Sequence, residues 1–140
     1  MTHEIVNPEG LPPARGFSHA VVSSAGKTVY LGGQTAHRPD GELEGVTTAE
    51  QFDRAAANMV LALDGAGARP EDLVSVQIFI TDAHEYRSSL QRIGEIWREH
   101  LGRRYPAMAL FEVAGLFDPA AKVELVGIAV IPEVRTAPER

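Results

Sequence analysis

Two apolar stretches near the C-terminus decide the fold: Tyr105-Pro106-Ala107-Met108-Ala109-Leu110-Phe111-Glu112-Val113 and Lys122-Val123-Glu124-Leu125-Val126-Gly127-Ile128-Ala129-Val130-Ile131-Pro132. Both read as strands, over roughly 107–113 and 122–131. The second is apolar on both sides. Val123, Leu125, Ala129 and Ile131 alternate with Val126, Ile128 and Val130, so both faces of this strand ask to be covered. One carboxylate, Glu124, enters the run.

Upstream, Leu73–Thr81 alternates as a further strand through Val74, Val76, Ile78 and Ile80. A helix precedes it. Thr48 and Gln51 can form a capping box, and Phe52, Ala55, Ala56, Met59, Val60 and Leu63 recur at helical spacing until Gly65 and Gly67. A second helix follows, opened by Asp82 and Glu85, striped by Tyr86, Leu90, Ile93, Trp97 and Leu101, and stopped by Gly102. Nearer the start, His19–Ser23 and Thr28–Leu31 read as strands joined by a Ser24–Lys27 hairpin turn, and residues 8–16 form an irregular entry loop. His37–Gly45 is a polar loop with a Pro39-Asp40-Gly41 turn.

Strands, helix, strand, helix, strands describe an α+β two-layer sandwich: a mixed sheet with two helices. Right-handed crossovers place both helices on one face. The other face is left apolar and uncovered, which predicts a homo-oligomer whose subunits cover one another's sheets. The chain is expected to be one domain over 1–132 with a loose polar tail over 133–140.

The 140 residues are 44% apolar and 23% charged, the composition of a folded domain. The formal charge of −6 works against nucleic-acid binding. With no cysteine, thiolate nucleophiles, disulfides and Cys-based metal sites are excluded. No basic-then-apolar leader opens the chain and no apolar run approaches the ~20 residues of a membrane span, so no membrane partner and a cytoplasmic location are expected. The five histidines show no metal-ligand spacing, and no serine sits in a Gly-x-Ser-x-Gly elbow. No phosphate loop is present. Neither metal nor cofactor is expected.

Two elements can carry chemistry. A carboxylate held away from bulk water, as Glu124 would be, is either a general base or a strand-end group paired with an arginine or water. Gly32-Gly33-Gln34 can leave backbone N–H groups free to cradle an anion.

Several segments together resemble the RidA/YjgF family of reactive-intermediate deaminases. Phe17-Ser18-His19-Ala20-Val21 is similar to its N-terminal signature, and Val29-Tyr30-Leu31-Gly32-Gly33-Gln34 to its second strand. Ala55–Asn58 with Gly65-Ala66-Gly67, Val74–Asp82, Pro106-Ala107 and Val123-Glu124-Leu125 follow in the family's order. The resemblance covers residues 4–132. It implies a chorismate-mutase-like homotrimer with small-molecule pockets between subunits. It also implies cofactor-free hydrolysis of enamines and imines to 2-keto acids and ammonia. Glu124 falls on the family's water-activating glutamate and Gly33 on its N–H donor.

The family's carboxylate-binding arginine falls on Met108, which cannot make a bidentate charged pair. Phe17 replaces an aromatic hydroxyl, and Gly32 a frequent serine. With Leu110, these residues imply a more apolar pocket, a less anionic ligand and weak or no turnover of 2-iminopropionate. Arg103 or Arg104 would be the replacement cation. A non-catalytic ligand-binding or partner-binding trimer is the alternative. Ribonuclease or translation-inhibitor activity, attached to some relatives, is disfavoured by the acidic balance.

Overall fold

The computed structural model describes residues 3–135. Strands β1 (Glu4–Val6), β2 (Ala20–Val22) and β3 (Gly26–Tyr30) precede helix α1 (Thr48–Gly65). Then come β4 (Leu73–Ile80), α2 (Ala83–Ser88), α3 (Leu90–Leu101), β5 (Ala107–Glu112) and β6 (Val123–Pro132). The main sheet has the order β3-β6-β4-β5. β6 runs antiparallel to both its neighbours, and β5 is parallel to β4. A parallel pair needs a crossover, which α2 and α3 supply; α1 links β3 to β4 in the same way.

Both crossovers return over one face, where the core lies. Phe52, Ala55, Ala56, Met59 and Leu63 of α1 and Ile93, Ile96, Trp97 and Leu101 of α3 pack on Val76, Ile78, Ile80, Val123, Leu125 and Ala129 of the sheet. Gly127 lets α1 close down, since a Cβ there would meet Leu31, Leu73 and Met59 at 3.2–3.3 Å. Among the described residues, no helix covers the opposite face. There Phe79 and Phe111 stack at 5.5 Å between ring centres, and Tyr30 is 77% exposed.

The mixed sheet and single-sided helices agree with the sequence reading, but four details differ. The second helix is two. Ser88 and Ser89 hydroxyls donate to the carbonyls four residues back, His84 (2.9 Å) and Glu85 (3.0 Å), and Ser89 leaves helical geometry at φ −113°, ψ 13°. Such side-chain bonds compete with the helical ladder.

The first helix is capped one residue earlier than expected. Thr47 Oγ1 accepts the Glu50 N–H (3.1 Å), and the Glu50 carboxylate accepts the Thr47 N–H (3.0 Å). Gln51 is freed to tie α1 to the entry of β6, accepting the Lys122 N–H (2.8 Å) and donating to the Ala120 carbonyl (3.1 Å).

The expected hairpin does not form either: β2 pairs with β1, and β3 with β6. Buried His3 sits between the two sheets. Its Nδ1 accepts the Ser24 N–H (3.0 Å), so Nε2 carries the proton donated to the Val130 carbonyl (2.9 Å). β1, only three residues long, has no period to read in the sequence.

The tail is held at its start. The Glu133 N–H donates to Ala25, and Arg135 makes a two-pronged pair with buried Asp72 at 2.8 and 2.9 Å. Residues 136–140 of the expected tail lie outside the described residues.

Candidate functional site

Glu124 stands opposite Phe79 of β4, so its side chain leaves the sheet on the face without helices. After β3 the chain stays on β6. The Leu31 N–H donates to Gly127, and Gln34 and Leu125 exchange both backbone bonds (2.8 and 2.9 Å). The intervening glycines run past the carboxylate. A Cβ built on Gly33 would lie 2.8 Å from Glu124 Cδ and closer still to Oε2, so only glycine leaves room. Glu124 is half-buried and has no hydrogen-bond partner or counter-cation among the described residues.

A cavity of about 490 Å³ opens beside it, lined by Gly33, Thr35, His37, Phe117, Asp118, Pro119 and Glu124. His37 bridges Thr35 and Asp118: Nδ1 lies 2.5 Å from Thr35 Oγ1, and Nε2 lies 2.8 Å from Asp118 Oδ2. Asn58 of α1 pins this segment, its amide donating to the carbonyls of Thr35 (2.9 Å) and His37 (2.8 Å). The Ala120 N–H and then His37 hold the Asp118 carboxyl below its ordinary value, so it accepts as a carboxylate. Gly32 and Gln34 border the cavity without lining it. The Gln34 amide turns back on the Gly32 carbonyl at 3.3 Å.

Phe17, Met108 and Leu110 meet elsewhere. Met108 pairs with Val76 and Leu110 with Ile78, the helix-facing residues of β4. They line a second cavity of about 310 Å³ with Arg15, Gly16, Phe17, Tyr86 and Ala109 at the β5 edge. Ser18 clamps this loop to the strand, its N–H donating to Pro106 (2.9 Å) and its hydroxyl to Tyr105 (2.6 Å). Burial pushes the Tyr86 hydroxyl up to about 12, so it is a neutral phenol there and not a base. The chain therefore carries the expected residues as two separate clusters, on opposite faces of its sheet.

Neither Arg103 nor Arg104 reaches the Met108 cavity. Gly102, at φ +83°, turns them away. They border a hollow with Ile5, Pro70 and the end of α3, and the Arg104 guanidinium donates to the His3 carbonyl. The cation lining the Met108 cavity is Arg15, which makes no hydrogen bond or ion pair with the described residues. In the sequence it is one charge in a Pro- and Gly-rich loop, with no local signal of a site. Thr35, His37 and Asp118 carry no sequence signal as a group, because 81 residues separate His37 from its carboxylate.

Among the described residues, Asp53, Glu99 and His100 bring ligand atoms within 4.8 Å of one another, away from both cavities. His100 is already bonded to Asp53 (2.5 Å) and Glu99 to Arg92 (3.2 Å). None of the described helices is long and apolar enough to cross a membrane.

Comparison with known proteins matches residues 8–131 to the family model described as Endoribonuclease L-PSP. A human 2-iminobutanoate/2-iminopropanoate deaminase is 25% identical, covering 98% of this chain and 96% of that protein. The protein of that name from Dermatophagoides farinae is 30% identical over 91% of this chain and 94% of its own length. Among solved structures, YyfB from Yersinia pestis, a protein of unknown function in the conserved Rid family, superposes with a TM-score of 0.85. It is 30% identical over 94% of this chain and all of that one. The family match over residues 8–131, the deaminase relatives and the Rid-family structure agree, and the chain belongs to the RidA/YjgF family.

Proposed function

We propose that this protein hydrolyses the C=N bond of a small imine, or of the enamine that tautomerises to it, giving a carbonyl compound and ammonia. Glu124 is the base. The observation that carries the reading is its carboxylate, half-buried against Gly33 with no counter-cation among the described residues. A carboxylate without a partner is free to take a proton from water as the oxygen adds to the imine carbon, then pass it to the departing nitrogen. The Gly33 N–H is a donor toward the substrate. Only water, an acid and a base are needed, so no metal or cofactor enters. The names of the human and mite relatives favour this reaction class over RNA cleavage, as does the net charge of −6.

The pocket is completed between copies in a homotrimer. The uncovered, aromatic-bearing sheet face supports this, because it brings the Glu124 cavity of one protomer to a surface that another can cover. The Met108 cavity of the neighbour supplies the remaining wall. Its lining is apolar but for the neutral Tyr86 phenol and Arg15, which sits on an exposed loop rather than on a strand. A substrate with little negative charge suits it best, and 2-iminopropanoate is turned over weakly.

The test is ammonia release from 2-iminopropanoate and from its neutral amide, each generated in situ, with Glu124→Gln as control. Faster turnover of the amide, abolished by the substitution, is expected. Thermal stabilisation by either compound without turnover would instead make the protein a ligand-binding module. The solution mass should be three times the 15.1 kDa protomer; a lone protomer would remove the shared pocket.

A further inference from the structure

We propose that Thr35, His37 and Asp118 form a proton relay serving the reaction at Glu124, with the Thr35 hydroxyl as the group that meets the substrate nitrogen. The inference rests on the imine-hydrolysis reading. It adds the acid that a lone carboxylate lacks.

Three observations carry it. The three side chains are joined in series, Thr35 Oγ1 to His37 Nδ1 at 2.5 Å and His37 Nε2 to Asp118 Oδ2 at 2.8 Å. All three line the cavity that holds Glu124 and Gly33. Their placement is built: Asn58 grips the carbonyls on both sides of buried Ala36, and the Ala120 N–H fixes Asp118 from behind at 2.9 Å. A surface histidine that merely meets a carboxylate has no need of such bracing.

The order of the chain sets the chemistry. Asp118 is a carboxylate and only accepts, so Nε2 keeps its proton. Nδ1 is then the atom that gains or gives a proton across the bond to Thr35. With the imidazole charged, Nδ1–H donates to Oγ1 and the hydroxyl proton points onward into the cavity.

The steps balance. Water adds to the imine carbon; a C–O bond forms, and the C=N π pair moves to nitrogen. Glu124 takes a water proton, Thr35 gives its proton to the nitrogen, and His37 refills Thr35. The carbinolamine then collapses: Glu124 returns its proton to the nitrogen and the C–N bond breaks with its pair on ammonia. The hydroxyl proton passes to Thr35 and back to His37. Imine and water become carbonyl and ammonia with every protein group restored. Thr35 is the catalytic residue of the relay; His37 and Asp118 act through it.

Steady-state ammonia release from the neutral amide tests the relay, comparing wild type, Glu124→Gln, Thr35→Val, Thr35→Ser, His37→Gln and Asp118→Asn. Thr35→Val and His37→Gln should each lose about 10²-fold in kcat, the low end for general acid–base catalysis, with KM little changed. Asp118→Asn should lose less, since the histidine remains. Thr35→Ser should restore most of the activity lost in Thr35→Val, a rescue that a packing role for the methyl group would not give. Should Thr35→Val fail to fold, His37→Gln and Asp118→Asn decide. Full kcat in the relay variants beside an inactive Glu124→Gln overturns the relay and leaves the hydrolase reading standing. A wild type that releases no ammonia from either compound overturns both.

Discussion

The Cα of Gly33 backs directly onto the carboxylate of Glu124, in the space a side chain at 33 would occupy. Gly33 and Gln34 are held there because Gln34 exchanges two backbone hydrogen bonds with Leu125, the residue after Glu124. The loop backbone thus runs directly against the carboxylate. In Gly33→Ala the added methyl must displace the flexible end of Glu124, a cheap movement for the fold. The melting temperature should stay within a few degrees of wild type. Turnover should fall by 10²-fold or so, the order expected from a misplacement of about 1 Å at a reacting group. Ammonia release and calorimetry on one preparation check both halves. An unchanged rate would show that the carboxylate position does not matter.

Glu85 gives a pH dependence. It accepts the Thr48 N–H at the start of α1 (2.6 Å) and pairs with Lys122 (2.9 Å), stitching α2, α1 and the head of β6 together. The Thr48 N–H first, and Lys122 next, hold its carboxyl below the ordinary value of 4.5. A lowered folded-state value means that protonation favours the unfolded chain. The stabilisation is complete above about pH 4.5 and disappears as the pH falls through the folded value. Glu85→Gln should cost about 1.5 kcal/mol at pH 7, as for a hydrogen bond to a charged group. Urea melts should show the gap from wild type closing below pH 4.5. A gap independent of pH would assign the loss to packing alone.

The layers were legible in the sequence because periodicity reports burial. Phe52 to Leu63 and Ile93 to Leu101 place themselves on helices, and the two-sided apolarity of β6 gave away a central strand. The hairpin misled because Ser24–Lys27 has turn chemistry whether or not its flanks pair. The pairing actually made is non-local: β3 joins β6, and His3 reaches Val130 across 127 residues. The capping box slipped by one residue because Thr47 and Thr48 are equivalent as local signals. The site was half legible. Glu124 announces itself as a charge in an apolar run, and Gly33 as part of a glycine pair. Arg15, His37 and Asp118 stand in polar loops, where a charge is ordinary; only tertiary proximity makes them neighbours of a cavity.

Asp72 is 2% exposed, and Arg135 pairs with it through both oxygens while the Arg69 N–H donates to one (2.8 Å). Arg135→Ala leaves a buried carboxylate without its cation, an arrangement that costs about 3 kcal/mol. Urea unfolding should register that loss although position 135 is only five residues from the end of the chain. Adding Asp72→Asn should recover part of it, because a neutral amide needs no counter-charge. No recovery in the double variant would mean that the arginine acts through its aliphatic stem.

On the proposed reading, Met108 and Arg15 together set the charge of the ligand. Met108 points toward the helix-covered side of β5, half-buried beside Tyr86, with Arg15 at the rim. A guanidinium placed on the strand would be held by the sheet, whereas Arg15 must be ordered from an exposed loop each time it binds. Met108→Arg should therefore lower KM for 2-iminopropanoate at least tenfold, a gain of about 1.4 kcal/mol. For the neutral amide it should bring none. Arg15→Gln should do the reverse to the residual imino-acid activity, raising KM about tenfold, within the range of one charged hydrogen bond. Kinetics of both variants on the acid and the amide separate charge from shape. Equal effects on the two compounds would mean that this cavity does not contact the carboxylate at all.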